Sequence, residues 1–200
     1  MTKLCGSSSS GRRFVATLAA LSALFVSLAC SGPSDKGLFA ITPPPGPPAF
    51  NVVSDALDIH CGTLNCHGNN DRNMRIFGFY GTRLSDKDKT GAAATSEDEY
   101  QANFESIISI EPERLSQIVR SGGANEGKWV VLSKGRGTEH HKGGSRMTPG
   151  DAMDTCFTSW IVAHGPGPGD GGAIPGAVND AACLAAVREI VPPGQDWASQ

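Results

Sequence analysis

The sequence predicts a mainly α-helical protein: one small helical domain with long loops rich in glycine and proline. Apolar residues recur at helical spacing in several capped segments, and only the stretch "WVVLS" has the composition of a strand. The 200 residues include 25 glycines and 13 prolines, concentrated in residues 31–50 and 164–177. A chain of this length can bury one modest hydrophobic core rather than two.

Three segments in the first two thirds of the chain predict helices. In "VVSDALDIHCG", one face of the predicted helix carries Val53, Ala56, Leu57 and Cys61. A capping box of Ser96 and Glu99 precedes the second helix, whose apolar stripe consists of Tyr100, Phe104, Ile107 and Ile108. Pro112 then marks a break, and "PERLSQIVRSGG" predicts a short third helix that ends at a double glycine.

Two further helices are predicted near the C-terminus, and each carries one cysteine. In "TPGDAMDTCFTSWIVAHG" we expect Thr148 as N-cap, Pro149 at the first helical position, Asp151 completing the cap and Gly165 at the end. The expected buried face of this helix consists of Met153, Cys156, Phe157, Trp160 and Ile161. In "NDAACLAAVREIVPPG" an Asn-Asp cap starts the helix, Pro192 stops it, and the expected buried face is Cys183, Leu184, Val187 and Val191.

The cysteines of these two helices are expected to form a structural disulfide. A bond between Cys156 and Cys183 would pin the helices across the glycine-rich loop and stabilise the fold by about 3 kcal/mol on the loop-entropy model. Two buried free thiols and a metal-binding pair are the alternatives.

The first 30 residues predict an export signal. Lys3, Arg12 and Arg13 precede the apolar run "FVATLAALSALFVSLAC", which is short for a stable membrane span. The end of this run resembles a bacterial lipobox, which implies that Cys30 is lipidated and anchors the chain to a membrane. Residues 31–49 are expected to form a proline- and glycine-rich tether. We therefore expect a cell-envelope lipoprotein facing the periplasm or cell surface, or otherwise a soluble periplasmic or secreted protein.

The charge balance excludes some partners. Three of the 17 Lys and Arg residues and none of the 20 Asp and Glu residues lie in the first 30, which leaves 14 basic against 20 acidic residues. This acidic balance argues against nucleic acid as a partner. No serine-hydrolase, paired-carboxylate or zinc-peptidase motif occurs in the sequence, so nothing favours a hydrolase.

The stretch "HCGTLNCHGN", residues 60–69, carries the strongest chemical signal in the chain. A disulfide between Cys61 and Cys66 needs only a turn of the chain and leaves His67 unexplained. A zinc site would need a further ligand such as His140 or His141, and the adjacent side chains of Cys66 and His67 tend to diverge. Covalent haem attachment uses all three residues, because two thioethers and one axial histidine require Cys, Cys and His in that order.

The wider pattern adds a family resemblance. The C-x4-C-H spacing resembles the variant attachment motif of some multihaem cytochromes c. The order of "CGTLNCHGN", "SIISIEPERLSQIV", "EHHKGGSRMTPGD" and "CFTSWIVAHG" resembles cytochrome c domains of exported bacterial proteins, including lipoproteins of the myxobacterial type. The resemblance implies a cytochrome c-like domain over residues 50–165 with one covalent haem c, thioethers at Cys61 and Cys66, and His67 as proximal ligand. Residues 166–200 are expected to add a glycine-rich loop and a helix to the same domain.

The second axial ligand is expected in the glycine-flanked stretch "EHHKGGSRM". His141 belongs to the His-x-Gly-Gly segment that the resemblance singles out and is preferred. Met147 is the alternative, since a loop methionine would raise the reduction potential, and His140 is third.

An iron with both axial positions filled exchanges electrons and offers no position to a substrate. The expected function is therefore one-electron transfer with redox partner proteins, and an enzyme is the less favoured reading. The alternative is a cofactor-free lipoprotein that serves as a binding or structural module. Two disulfides, Cys61 with Cys66 and Cys156 with Cys183, would stabilise that protein.

Overall fold

The computed structural model describes residues 40–163 and 177–191. The predicted signal peptide, Cys30, residues 31–39 of the predicted tether, Gly165 and Pro192 lie outside these residues. The described part contains α-helices and no β-strand, which confirms the mainly α-helical class. The helices are α1 (Asn51–Cys61), α2 (Glu97–Ile108), α3 (Pro112–Arg120), α4 (Val130–Gly135), α5 (Ala152–Val162) and α6 (Asp180–Ile190). None of these described helices has the length and apolar character needed to cross a membrane.

The start of α2 confirms the predicted capping box. The Ser96 hydroxyl accepts a hydrogen bond from the Glu99 backbone N–H, and the Glu99 carboxylate accepts one from the Ser96 N–H. The same carboxylate forms a buried ion pair with Arg83 at 2.8 Å. Glu99 therefore caps α2 and also holds the long segment between α1 and α2 against it.

The start of α5 lies later than the sequence predicted. Asp151, rather than Thr148, is the N-cap: its carboxylate accepts hydrogen bonds from the backbone N–H groups of Asp154 and Thr148. Gly150 has a φ of 88°, which no right-handed helix contains, so Pro149 cannot open the helix. A carboxylate that caps two N–H groups thus outweighs the Thr-Pro signal.

The strand-like stretch "WVVLS" forms a helix instead, α4. Trp129, just before it, is fully buried and donates from Nε1 to the Ile110 carbonyl at 2.8 Å. The Glu111 carboxylate accepts a hydrogen bond from the Val130 N–H at 3.0 Å, at the N-terminal end of the helix, where N–H groups have no partner within the helix. These tertiary contacts override the β preference of the two valines, which is only a weak local bias.

The helix α5 lies at the centre of the core, packed against α1, α3 and α6. The Cys156 and Cys183 sulfur atoms are joined at 2.06 Å, the same pairing that the sequence predicted. On α6 the buried face is Cys183, Ala186 and Val187. Leu184, predicted to lie on this face, is 47% exposed, so that prediction was wrong.

The last part of the predicted tether belongs to the domain. Described residues from Ile41 onward form one compact unit. The Pro45 carbonyl accepts a hydrogen bond from Trp160 Nε1 at 2.7 Å, and the Thr42 N–H donates to the Ser116 hydroxyl at 2.8 Å. These contacts correct the predicted boundary: the domain begins near Ile41 rather than at residue 50, because the proline-rich segment packs on the buried tryptophan.

Candidate functional site

The two cysteines and the histidine of the motif surround a turn at the end of α1. Cys61 is the last residue of the helix. The Cys66 N–H donates to the Thr63 carbonyl, and the His67 N–H donates back to the Cys61 carbonyl, each at 2.8 Å. Leu64 is 49% exposed at the tip of the turn. The residues between Cys61 and Cys66 therefore loop outward, and the chain brings His67 back next to Cys61.

Three glycines allow the motif to pack against the segment that follows it. A Cβ atom on Gly68 would overlap the Gly62 carbonyl oxygen and would lie 2.7 Å from the Gly81 Cα. The Gly68 carbonyl accepts hydrogen bonds from the N–H and hydroxyl of Thr82, at 2.8 Å and 2.5 Å. Close backbone contact thus leaves no room for a side chain at Gly68, the position directly after His67.

A buried carboxyl group holds the same region from the other side. Asp58 is 2% exposed, and its Oδ2 accepts a hydrogen bond from the Tyr80 N–H at 3.2 Å. Within the described residues, its Oδ1 has no hydrogen-bond partner. Burial raises the pKa of this carboxyl to about 7. Sequence patterning missed Asp58, because an acidic residue on a helix is ordinarily assigned to the exposed face.

The His67 ring is held in one orientation and one tautomer. Its Nδ1 lies 2.9 Å from the Met74 carbonyl oxygen. Since a carbonyl can only accept, Nδ1 carries the proton of the neutral ring, and Nε2 keeps its lone pair. Burial lowers the pKa of His67, and the nearby His141 lowers it further, so the ring is neutral at pH 7. The structure therefore presents a neutral imidazole with a free ligand nitrogen.

His141 lies opposite His67 and is held in the same way. The ring centroids are 5.9 Å apart, and the ring planes differ by 13°. Nδ1 of His141 lies 3.3 Å from the Gly144 carbonyl oxygen, which again leaves Nε2 unprotonated in the neutral ring. Two imidazoles from segments far apart in the sequence are thus brought together with nearly parallel ring planes.

Two adjoining cavities surround this histidine pair. The first, about 400 Å³, has mainly apolar walls from Leu57, Ile110, Val130, Val131, Met147 and Phe157. The second, about 530 Å³, is lined mainly by polar and basic side chains. Cys61, His67 and His141 line both cavities. A mainly apolar cavity thus adjoins one lined by polar and basic side chains, a combination typical of cofactor sites.

The structure brings most of the predicted site residues together. Cys66 lines the second cavity with Cys61 and His67. Of the three candidates for the second axial ligand, His141 has its ring beside that of His67. Met147 is 4% exposed in the wall of the first cavity, and His140 is exposed in the second.

Both motif cysteines are free thiols in the structure. The Cys61–Cys66 disulfide of the cofactor-free alternative is therefore absent from it. Burial raises the pKa of the Cys61 thiol to about 12, and the positive charge of Arg146 opposes this effect. In residues 40–163 and 177–191, no three His, Cys, Asp or Glu side chains are grouped so as to hold a metal ion.

Sequence reasoning missed several parts of the site. The strand-like assignment of "WVVLS" concealed that α4 supplies Val130, Val131 and Lys134 to the cavity walls. The Met74 carbonyl could not be found from side-chain patterns, because a backbone group carries no residue-specific signal.

Comparison of the chain with protein-family models, curated proteins and solved structures finds no match.

Proposed function

We propose that this chain is a haem c protein of the cell envelope that carries single electrons. The observation that carries the proposal is the proximity of the His67 and His141 rings, in a cavity that the free thiols of Cys61 and Cys66 also line.

His67 and His141 would hold the iron through their Nε2 atoms. Their ring centroids are 5.9 Å apart, and the ring planes differ by 13°. The hydrogen bonds from Nδ1 to the Met74 and Gly144 carbonyls are the outer contacts that metal-bound histidines ordinarily make.

The cysteines fit the covalent part of the same group. Cys61 and Cys66 line the cavity that His67 also lines, and the outward turn at Thr63 and Leu64 brings His67 back to the Cys61 carbonyl. Each S–H would add across one vinyl group, forming a C–S bond and a C–H bond without net oxidation. The four residues between the cysteines are therefore compatible with haem attachment at both cysteines.

The protein's own groups would tune and protect this centre. When bound, the haem supplies an iron that alternates between the ferric and ferrous states. The apolar walls from Leu57, Ile110, Val130 and Phe157 exclude water from the macrocycle. The N–H of His67 to the Met74 carbonyl fixes the ring and increases the basicity of Nε2. With His67 and His141 both bound to the iron, no position would remain for a substrate, and electron transfer would be favoured over substrate turnover.

The location of this carrier is proposed from the N-terminal sequence. The apolar run preceded by basic residues supports export, and the lipobox-like end supports lipidation of Cys30. The disulfide between Cys156 and Cys183 is consistent with an oxidising compartment.

A spectroelectrochemical titration tests the proposed function. The protein is exported from a host that has haem-attachment machinery and is titrated against mediator dyes. We expect one reversible one-electron transition, with six-coordinate low-spin spectra in both states and no binding of carbon monoxide to the reduced form. A five-coordinate spectrum with peroxide turnover would instead indicate an enzyme, and the carrier proposal would be wrong.

A further inference from the structure

A third cavity lies apart from the candidate site, between α3 and the turn that follows it. Its volume is about 210 Å³. The helix and its C-cap contribute Arg114, Gln117, Ile118 and Ser121 to the lining, and the turn contributes Asn125 and Lys128. No residue of this lining belongs to the two cavities around His67. The third cavity is therefore a separate candidate site, which the proposed electron transfer does not use.

The end of α3 folds the chain back beside the helix. The Gly122 N–H donates to the Val119 carbonyl at 3.1 Å. The Gly123 N–H donates to the Ile118 carbonyl at 2.9 Å. Both glycines have a positive φ, 65° and 93°, as the residues that close a helix in this way require. The double glycine thus ends α3, as the sequence predicted, and leads the chain into the turn that completes the cavity.

The lining carries two positive charges that no side chain of the described residues neutralises. Arg114 and Lys128 are exposed, and neither forms an ion pair in the described part of the chain. No Asp or Glu is among the described lining residues. Glu126, within the turn, pairs instead with Arg136 at 3.2 Å, and the exposed Glu113 does not line the cavity. The third cavity therefore favours a negatively charged ligand.

Two neutral side chains add hydrogen-bond donors. Gln117 and Asn125 are exposed, and their carboxamides have no hydrogen-bond partner within the described residues. The Ser121 hydroxyl donates to the Ile118 carbonyl at 3.0 Å, so its proton is already used. The donors that remain are a guanidinium, an ammonium and two carboxamides. This set suits a ligand that is rich in acceptor oxygens.

We infer that the third cavity binds a phosphate monoester group. Such a group carries a charge of about −1.5 to −2 at pH 7 and three acceptor oxygens. It can therefore neutralise both cations, with the planar guanidinium of Arg114 matching two of its oxygens. A carboxylate has one charge and would leave one cation unpaired.

The size and surroundings of the cavity favour a single small group. Pockets for drug-sized ligands measure about 300 Å³ or more, and the third cavity is smaller. An extended nucleic acid is disfavoured because the whole chain carries 20 Asp and Glu against 17 Lys and Arg. Soluble phosphorylated molecules and lipids such as phosphatidic acid both present a phosphate monoester, and the experiments below distinguish these two sources.

Titration calorimetry with glycerol 3-phosphate tests the inference. The full chain in a non-ionic detergent is titrated at about 0.1 M salt, where the Debye length is about 10 Å and remote charges are screened. We expect one saturable site with a Kd at or below about 1 mM, no saturable binding of glycerol, and acetate affinity weaker by at least about tenfold. Absence of saturable glycerol 3-phosphate binding, or equal affinity for acetate, would overturn the inference. Haem content is recorded separately, because the expected binding does not require it.

Two pairs of variants locate the binding. Arg114→Gln and Lys128→Gln each remove one charge from the lining, whereas Arg188→Gln and Lys87→Gln remove the same charges from exposed positions outside it. Because a hydrogen bond to a charged group is lost, each lining variant should weaken binding by at least about tenfold. The controls should change it by less than about twofold. Circular dichroism verifies that each variant keeps the fold. Equal losses in lining and control variants would show that overall charge attracts the phosphate, against the inference.

Equilibrium dialysis of labelled glycerol 3-phosphate identifies the source of the group. The chain is bound to phosphatidylcholine vesicles that contain phosphatidic acid or, as a control, phosphatidylglycerol at equal surface charge. Displacement of the label by phosphatidic acid alone would support the site and assign it to a lipid headgroup. Displacement by neither vesicle would support the site and assign it to a soluble phosphorylated molecule. Equal displacement by both would show that the cavity does not distinguish a monoester from a diester, which contradicts the inference.

Discussion

The disulfide between α5 and α6 should stabilise the fold without contributing to cofactor attachment. Cys156 and Cys183 are separated by 27 residues in the sequence. A bridge closing a loop of this length lowers the entropy of the unfolded chain, which is worth about 3.5 kcal/mol at 25 °C. Both side chains are fully buried, so replacement by alanine also leaves small cavities that cost about 1 kcal/mol. The free energy of unfolding of Cys156→Ala/Cys183→Ala should therefore fall by about 4.5 kcal/mol.

Urea denaturation followed by circular dichroism measures this loss. With a slope of about 2 kcal/mol per M, the midpoint should fall by about 2 M, and the slope should rise because the chain without the bridge exposes more surface on unfolding. Either single variant already opens the loop, so the double variant should cost little more than either one. Covalent haem content should equal that of the wild type, whereas Cys61→Ala should lower it.

Two results would refute this reasoning. A loss below about 1 kcal/mol at constant slope would show that the bridge does not constrain the unfolded chain as the entropy model requires. Additive effects of Cys156→Ala and Cys183→Ala would show that the two residues act independently, and therefore that no bond joins them in solution.

Three further outcomes are expected. Gly68→Ala should destabilise the domain by about 3 kcal/mol or more and reduce haem attachment, because the new Cβ meets the Gly62 carbonyl. In the control variant Gly46→Ala, the new Cβ would make an ordinary contact with a phenylalanine ring, and the domain should lose less than about 1 kcal/mol of stability. His141→Ala should convert the ferric spectrum from low-spin to high-spin, and Met147→Leu should leave it low-spin. Asp58→Asn should flatten the pH dependence of stability. Burial raises the pKa of Asp58 from 3.8 to about 7, so the folded state retains a proton that the unfolded chain loses. The stability of the wild-type protein should therefore fall as pH rises from about 4 to about 7.

Each of these outcomes has a clear opposite. Equal urea midpoints for the Gly68 and Gly46 variants would mean that the backbone contact at Gly68 is not tight. Loss of the low-spin spectrum in Met147→Leu, with His141→Ala unchanged, would transfer the axial role to the methionine. The Asp55 carboxyl, whose pKa burial also raises to about 7, should keep part of the pH slope in Asp58→Asn, and the exposed Asp98→Asn should keep all of it. An undiminished slope in Asp58→Asn would contradict the account of Asp58.

Local signals in the sequence were sufficient where a side chain acts on its own backbone. The capping box at Ser96 and Glu99 and the break at Pro112 depend on residues next to each other, and both are present in the structure. Local signals failed at two places. Asp151, three residues after Thr148, accepts hydrogen bonds from the N–H groups of Thr148 and Asp154 and takes the N-cap role expected of Thr148. Buried Trp129, whose Nε1 donates to the Ile110 carbonyl 19 residues away, holds the valine-rich segment in a helix.

The candidate site shows the same division. Cys61, Cys66 and His67 lie close together in the sequence, so their order alone indicated a chemistry. The pairing of His67 with His141 joins residues 74 positions apart and depends on the fold, although the glycines around His141 marked the loop as able to approach closely. The hydrogen bond from His67 to the Met74 carbonyl involves a backbone acceptor that residue types do not reveal.

The most direct test of the central claim is the reduced pyridine spectrum of the denatured protein. The chain is exported from a host with haem-attachment machinery, unfolded, extracted with acidified acetone and reduced in alkaline pyridine. We expect one haem per chain that resists extraction, with the absorption band of a haem joined through two thioethers, and its loss when Cys61 and Cys66 are both replaced by alanine. Complete extraction of the haem, or a chain that carries none, would contradict the assignment of this motif as a haem c attachment site.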